Sequence, residues 1–563
     1  MLVLGVSGWD HDASVALLDS GVAVAIGEEE RFTRARYQGH PHTRSLDFCL
    51  RQAKVRLEDV DMVTYYMLQD TVDSFKSTYL HRFVGNKPDA FVCVDHHATH
   101  AACAFFTSPF TDAAILTIDG YGDGTSAAIW HGHDTSLTCL ERIPHPHTLG
   151  GLWMGLTQYL GFGERDEGKT MALASYGEPK YLDLIMDRVQ LREDGGYRFD
   201  LGRYDTLTFL DGRHTFFLSI SPPRPPGEPL RQVHFDIADS LQEATNIIVL
   251  RMVEAAFKMT GSPNLCLAGG VALNSVLNGV IRRRSPFEQV YVPPFPGDNG
   301  AALGSALYYY HHVCKMPRTA NLSTAALGEG FNEPQIRTAL ERIGSSYSRS
   351  SLRDAILSQP PRCDEPGVPE QAAVEQARLV HYRSEEVAED TADFLAAGHT
   401  IGWFQGRAEV GPRALGQRSI LADPRRPEMR DYLNSKIKHR EWFRPYGPAV
   451  IESECDTYFD SGQPSPFMAF VYNVRQEKRQ ALPAVTHVDG SARVQTVAAD
   501  PDWPYYRLIR SFAQRTGVPV IVNTSFNDRE PIVNTPEEAL RCFVRTNLDV
   551  AVLGEYVVAK AEK

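Results

Sequence analysis

The sequence predicts an α/β protein of two domains, the first of them internally duplicated. Three observations carry this. Short apolar runs of strand length alternate with longer segments of helical spacing. A unit of strand, Gly/Asp turn and strand occurs twice within the first 130 residues. A Pro-rich stretch, QPPRCDEPGVPE at 359–370, then separates two parts of different charge character.

In order, residues 2–7 (LVLGVS) read as a buried strand, 8–12 (GWDHD) as a turn and 13–18 as a second strand. Residues 21–27 read as a third strand, joined by the tight turn 19–21. The pattern returns as strand 115–119, turn 120–124 (GYGDG) and strand 125–130. Two such halves facing a cleft are the plan of the actin/Hsp70/sugar-kinase fold, where the turns face nucleotide phosphates. By that analogy Gly120 and Gly122 are candidate nucleotide contacts.

VDHHATHAACAF, residues 94–105, places His96 and His100 four apart. On a helix they share one face and can converge on a metal ion. His97 points about 100° away. The pair alone fits a metal site or a hydrogen-bonded pair beside a core. The apolar run AAILTIDG (113–120) adds a buried strand that delivers Asp119 at its C-terminal end, where open α/β sheets bind ligands.

A second Gly-rich turn, LCLAGGVALN (265–274), sets Gly269 and Gly270 between a strand and a helix. Their amides could approach an anion, or the turn could exist for packing alone. PPFPGDNG (293–300) puts Asp298 before the small-residue helix 301–307. As pattern, a helix cap is a better reading of Asp298 than a metal ligand.

The first domain is expected over 1–357, the Pro-rich linker over 358–374 and the second domain over 375–563. A helix at 384–397 and a strand at 401–405 open the second domain. Between 401 and 450 the chain carries ten Arg/Lys against five Asp/Glu, in a protein of net charge −13. The Arg residues sit in GRAEVGPRALG (406–416) and REWFRP (440–445), among glycines, prolines and aromatics. Such shaped loops suit a pocket for several phosphates, which the planar Arg fork matches. Residues 518–527, a strand running into a polar turn, could add Ser525 and Asn donors to the same anion.

The acidic balance, with pI about 5.8, opposes broad nucleic-acid binding. Nine cysteines form no CxxC pair, which fits a reduced, cytoplasmic setting. No apolar run approaches the roughly 18–20 residues of a membrane span, and no signal peptide is visible.

Taken together, GWDHDAS, HHATHAACAF, LTIDGYGDG, GKTMALASYG, GGVALN and FPGDNGAALGSAL resemble the N-terminal half of O-carbamoyltransferases that decorate antibiotics and nodulation factors. GRAEVGPRALGQRSILADP, KHREWFRPYGPAV, HVDGSARVQTV and NTSFN resemble their C-terminal half. The resemblance covers nearly the whole chain. It implies a Kae1-like, actin/Hsp70-like first domain and a YrdC-like α/β second domain.

The implied chemistry has three stages. Carbamoyl phosphate loses phosphate to give carbamate. Carbamate attacks the α-phosphate of ATP, giving carbamoyl adenylate and pyrophosphate. An acceptor hydroxyl then takes the carbamoyl group and AMP leaves. By resemblance, Arg413, Lys438, Arg493 and Ser525, with Asn527 in the same NTSFN motif, line the carbamoyl phosphate and ATP site, with Mg²⁺. Arg418 and Arg444 lie in the same motifs and could instead brace loops through Glu409 or Glu441. In the first domain, His96, His100, Asp119 and Asp298 are implied to hold a divalent metal, iron(II) in the family, which moves Asp298 from cap to ligand. His97 then takes a structural hydrogen bond.

His11 is the candidate general base for the acceptor hydroxyl, with Asp10 or Asp12 to orient it. Gly269, Gly270 and Asn274 are expected to cradle the nucleotide. Lys169 has two open readings, a phosphate or substrate contact and a surface salt bridge. The expected partners are ATP, carbamoyl phosphate and a small-molecule hydroxyl acceptor, with no nucleic acid or membrane. The oligomeric state stays open, a homodimer included. Two other classes compete: an actin-like small-molecule kinase releasing ADP, and a non-catalytic adenylate-binding regulator.

Overall fold

The computed structural model describes residues 1–66, 91–200, 218–318, 321–348, 351–364 and 378–561. Two compact units emerge: residues 1–29 with 37–323, and residues 30–36 with 324–563.

The first unit contains two five-stranded sheets. In one, β1 (Leu2–Ser7), β2 (Ser14–Asp19) and β3 (Val22–Glu28) form an antiparallel meander. β4 (Met62–Tyr65) and β5 (Phe91–Cys93) continue it in parallel on the far side of β1, giving the order β3-β2-β1-β4-β5. In the other, β6 (Asp112–Gly122), β7 (Thr125–His133) and β8 (Ser136–Pro144) form the meander. After the small hairpin β9 (Val189–Leu191) and β10 (Tyr197–Phe199), β11 (Asn264–Ala268) and β12 (Gln289–Tyr291) extend this sheet in parallel. Its order, β8-β7-β6-β11-β12, repeats the first sheet strand for strand. The repeat seen as a sequence pattern is thus a repeat of topology.

Two helices bring the second sheet's site together. Helix His96–Thr107 follows β5, and every residue of it is buried. Helix Ala301–Leu307 is all small or aliphatic and also wholly buried. It packs against both helix His96–Thr107 and β1. The approach needs missing side chains: a Cβ on Gly304 would lie 2.1 Å from the Thr99 carbonyl oxygen, and one on Gly5 1.8 Å from that of Ala302. Phe105 and Phe106 anchor this core, each contributing about 1.5–3 kcal/mol by burial.

The second unit is built on an eleven-stranded mixed sheet. Its strands are β13 (Ser346–Tyr347), β14 (Leu379–Arg383), β15 (Ile401–Phe404), β16 (Arg418–Ala422), β17 (Gly447–Ile451) and β18 (Phe459–Asp460), followed by β19 (Phe470–Val474), β20 (Ser491–Val497), β21 (Val520–Ser525), β22 (Val550–Leu553) and β23 (Tyr556–Lys560). The order is β13-β14-β23-β22-β15-β16-β21-β17-β20-β19-β18. Helices Val387–Ala396 and Pro504–Thr516 cover it over a core of Trp403, Tyr505, Ile509 and Phe512.

Residues 324–357, expected in the first domain, pack in the second unit. Gly330 bridges to Arg407, the Gly328 amide donates to the Ala408 carbonyl, and Ser346–Tyr347 pairs with β14. Of the expected linker, 358–364 closes a helix and a short turn, while 365–374 lies outside the described residues. Residues 30–36 are the first half's contribution to the second unit. Arg31 donates to the Gly411 carbonyl at 2.6 Å, and Arg34 to those of Pro531 (2.5 Å) and Ile532 (2.8 Å). Among the described residues no helix is long and apolar enough to cross a membrane.

Candidate functional site

Four side chains meet in the first unit. His96 and His100 come from the first two turns of their helix, Asp119 from within β6, and Asp298 from the turn before helix Ala301–Leu307. The Asp119 Oδ2 lies 3.1 Å from His96 Nε2 and 2.9 Å from His100 Nε2. The two Nε2 atoms are 3.1 Å apart. Asp298 Oδ1 lies 3.3 Å from His100 Nε2 and 3.9 Å from His96 Nε2. One donor atom from each residue falls within 4.8 Å of the others.

The donor set fits a divalent transition ion. Two imidazole nitrogens and two carboxylate oxygens suit such a cation. Neutral histidines leave the cluster with the charge of its two carboxylates, which a divalent ion cancels. Without an ion the cluster draws protons: burial opposes a charged His100, yet Asp119 and Asp298 outweigh it and raise its pKa to about 10. Asp119 is held well below the usual carboxylate range by His100 and His96, despite its burial.

The surroundings fix these ligands. Asp95 caps the helix by accepting from the Ala98 amide at 2.8 Å, and Asp123 accepts from the His96 amide at 2.9 Å. Asp298 makes no side-chain cap, so the cap reading is set aside. His97 points elsewhere, as expected. Its Nε2 donates to the Thr125 carbonyl at 3.1 Å, so its Nδ1 accepts from the Thr117 hydroxyl at 2.8 Å. Burial pushes the His97 pKa down to about 3.

His11 lies in the β1–β2 turn, with Nδ1 3.0 Å from Asp12 Oδ2 and Nε2 3.9 Å from Asp298 Oδ2. Burial lowers its pKa, but the Asp12 hydrogen bond and the Asp298 charge reverse this, for a net rise. Asp12, rather than the exposed Asp10, is the orienting carboxylate.

The glycines expected to hold nucleotide do other work. The Gly120 amide donates to Asp119 Oδ1 at 2.7 Å, and its carbonyl accepts from Thr148 at 2.6 Å. Gly122 makes room for a metal-site ligand: a Cβ there would lie 2.1 Å from the His96 ring. The Gly269 amide donates to the Pro296 carbonyl, and a Cβ there would lie 2.3 Å from the Ile118 carbonyl oxygen. Gly270 sits against Asp119, whose Oδ1 a Cβ would meet at 3.0 Å. Asn274 caps helix Ser275–Arg284 by accepting from the Leu277 amide at 3.0 Å, and donates to Gln242 at 2.9 Å. Lys169 makes the salt-bridge reading real, 2.9 Å from Asp166.

In the second unit the basic residues gather at one end of the sheet. The register pairs Ser419 with Ser525, Gly447 with Asn523 and Ala449 with Gln495. This aligns the start of β16, the end of β21, the start of β17 and Arg493 on β20. Lys438 donates to the Ser525 carbonyl at 2.8 Å and the Asn527 carbonyl at 2.8 Å, and also reaches the Asn527 side chain. Ser525 Oγ donates to Asn527 Oδ1 at 2.8 Å. Burial, with Arg440 and Arg444 nearby, drives the Lys438 pKa well down.

Burial and the charges of Arg413, Arg440 and Arg444 likewise drive down Arg493. Arg413 falls to about 10 through burial and Arg444. These four guanidinium groups are a concentrated positive site. Arg440, counted in the basic run but not singled out as a site residue, stacks 4.3 Å above Tyr446 and donates to Asn434 at 2.8 Å. Arg36 from the first half of the chain adds to the charge felt by Lys438.

Arg418 takes the bracing alternative, through backbone carbonyls rather than through Glu409. Its guanidinium is fully buried and donates to the carbonyls of Gln405, Gln417, Glu329 and Gly406. It lies 3.6 Å over the Phe404 ring. Both terminal nitrogens donate to backbone carbonyls, so it braces the loop. Glu409 closes the same loop from within, accepting from the amides of Leu415 (2.6 Å) and Gln417 (3.1 Å). Arg444 stands 3.8 Å from Glu441, close to the bracing alternative.

Comparison with known sequences decides the family. The carbamoyltransferase N-terminus matches residues 2–92 and 86–307, and the carbamoyltransferase C-terminus residues 392–560. The chain belongs to the carbamoyltransferase family. It is therefore an enzyme, and the O-carbamoyltransferase resemblance of its motifs holds. Among similar proteins are nodulation protein NolNO of Sinorhizobium fredii (36% identical, 98% of this chain, 79% of that one) and nodulation protein NolO of Bradyrhizobium diazoefficiens (36%, 83% and 79%). Nodulation protein U of Rhizobium tropici is 28% identical over 92% of this chain and 89% of that one. Full-length HypF in its phosphate- and nucleotide-bound form matches at 13% identity and TM-score 0.34 over 55% of each chain, too low to carry an argument.

Proposed function

We propose that this carbamoyltransferase consumes ATP and carbamoyl phosphate, forms carbamoyl adenylate at the basic cluster of the second unit, and transfers the carbamoyl group to a hydroxyl of a small molecule at the His/Asp site of the first. The observation that carries this reading is the concentration of Arg413, Arg440, Arg444 and Arg493, within which burial and neighbouring like charges lower the pKa of Arg413 and Arg493. Such a cluster is stabilised by polyanions, and the first stages hold two of them at once.

In the adenylation stage, a carbamate oxygen attacks the α-phosphorus of ATP and the bond to pyrophosphate breaks. Arg413 and Arg493 would bear the charge that develops on the phosphoryl oxygens. Lys438, fixed on the Ser525 and Asn527 carbonyls, holds the rim of that pocket. In the transfer stage, the acceptor oxygen attacks the carbamoyl carbon and the bond to the AMP oxygen breaks. His11 Nε2 would take the acceptor's proton, while Asp12 fixes the ring through Nδ1. His96, His100, Asp119 and Asp298 would hold a divalent ion, iron(II) by family resemblance; when bound, it supplies Lewis-acid charge to the departing AMP phosphate.

Nucleotide release tests the reading. The protein is incubated with ATP, Mg²⁺, iron(II) and carbamoyl phosphate, and AMP, ADP and pyrophosphate are resolved. AMP and pyrophosphate that require carbamoyl phosphate, and vanish in Arg413→Ala, are expected. ADP, or turnover indifferent to carbamoyl phosphate, would restore the kinase.

A further inference from the structure

The two carboxylates of the His/Asp cluster are held by the same device. Asp119 turns Oδ2 to the histidines, and its Oδ1 is tied by the Gly120 amide at 2.7 Å. Asp298 turns Oδ1 to the histidines, and its Oδ2 accepts from the Tyr66 hydroxyl at 2.8 Å. Each carboxylate therefore offers one oxygen to the centre, and the other is occupied. At Asp119 the tie is backbone. At Asp298 it is a single side chain.

Tyr66 is well placed for this. It follows the last residue of β4, and its carbonyl accepts from Trp9 Nε1 at 2.9 Å. Its ring stands edge-on to His96, with centroids 4.6 Å apart. It therefore touches His96 with its ring and Asp298 with its hydroxyl. On the outer side of the same Asp298 oxygen stands His11 Nε2, at 3.9 Å.

We infer that Tyr66 is a positioning residue for the metal centre: its hydroxyl holds Asp298 as a one-oxygen ligand and keeps Oδ2 out of the coordination sphere. The inference rests on the metal reading of the quartet. Without the hydroxyl, Asp298 is free to rotate and to offer both oxygens, or to swing toward His11. Partners of metal ligands typically contribute about 10–100-fold to affinity.

Tyr66→Phe keeps the ring against His96 and removes only the donor. The full-length protein, stripped of metal, is titrated with cobalt(II), and affinity and the visible d–d spectrum are recorded. Wild type should bind one ion that His96→Ala does not. Tyr66→Phe should bind at least about tenfold more weakly, with shifted bands reporting an altered carboxylate geometry. The Tyr66→Phe effect should disappear in an Asp298→Ala background, as a double-mutant cycle requires of a residue acting through that carboxylate. Equal affinity and spectrum in Tyr66→Phe would overturn the inference and leave the quartet intact. A loss that persists in the Asp298→Ala background would overturn action through Asp298. Indifference of cobalt binding to His96→Ala would overturn the metal reading, and this inference with it.

Discussion

The two candidate sites of this carbamoyltransferase handle charge in opposite ways. In the first unit, acids and bases are interleaved: Asp119 and Asp298 face His96 and His100; the carboxylates raise the His100 pKa, and the histidines hold Asp119 low. In the second, cations face cations. Burial, with the charge of Arg444 nearby, lowers the pKa of Arg413, Arg493 and Lys438, and Arg440 adds to this at the last two. The first site pairs opposite charges, and its donor set fits one small cation. The second gathers charge of one sign, the arrangement that an anion would offset. Their ligands can be told apart on this ground alone.

The largest expected effect breaks the comparison at the second site. Arg493→Ala or Arg413→Ala should cut adenylate formation by about 10³-fold or more, the scale of losing an arginine on a phosphoryl transition state. The same variants should leave cobalt(II) binding at the quartet unchanged. They should also gain thermal stability in phosphate-free buffer, because a like charge has been removed, and lose the stabilisation that pyrophosphate gives wild type. Differential scanning calorimetry with and without pyrophosphate checks this; an Arg493→Ala protein destabilised in both conditions would show that the cluster is not self-repelling.

The converse break is smaller. His100→Ala should weaken divalent-ion binding by about 100-fold or more, since it removes a ligand rather than a partner of one. It should abolish carbamoyl transfer while pyrophosphate release from the second unit continues. Loss of both activities together would mean that the two sites are not chemically separate.

Sequence reading found the two sites unequally. The His96/His100 pair was legible because helical geometry forces residues four apart onto one face. The duplication was legible because strands and Gly/Asp turns leave a pattern even where identity is lost. Asp298 was not, since a carboxylate before a helix looks the same whether it caps the helix or meets a histidine 198 positions earlier in the chain. Tyr66 was invisible for the same reason. In the second unit the concentration of Arg was plain, but the division of labour was not. Arg413 and Arg418 stand five apart in one Gly-rich motif, and only packing shows that one faces other cations while the other is bound to carbonyls over Phe404. Arg440 had a signal in the motif it shares with Lys438 and Arg444; Arg36, some 400 residues away, had none.

The smallest effect sharpens the contrast within the first unit, between histidines that want a charge and those that refuse one. His97 and His42 are buried with pKa values lowered to about 3 and about 4. In the folded protein both stay neutral below pH 6.5, where the unfolded chain takes up protons. Stability should therefore fall as pH drops from about 6.5 toward 4, with each group contributing on the order of 1 kcal/mol per pH unit. His100, raised to about 10, is protonated in both states below about pH 5.5 and adds little slope there when metal is absent. Asp119, lowered, is ionised in both states above about pH 4.5 and adds none either. Between pH 4.5 and 6.5 this pair shares the slope with other histidines whose pKa burial lowers, among them His234 at about 4. Denaturant unfolding of metal-free protein across it should give a slope that His42→Asn and His97→Asn each reduce, even though both variants are less stable at pH 7. A His97→Asn slope equal to that of wild type would mean that His97 accepts a proton where it sits, between Thr117 and the Thr125 carbonyl.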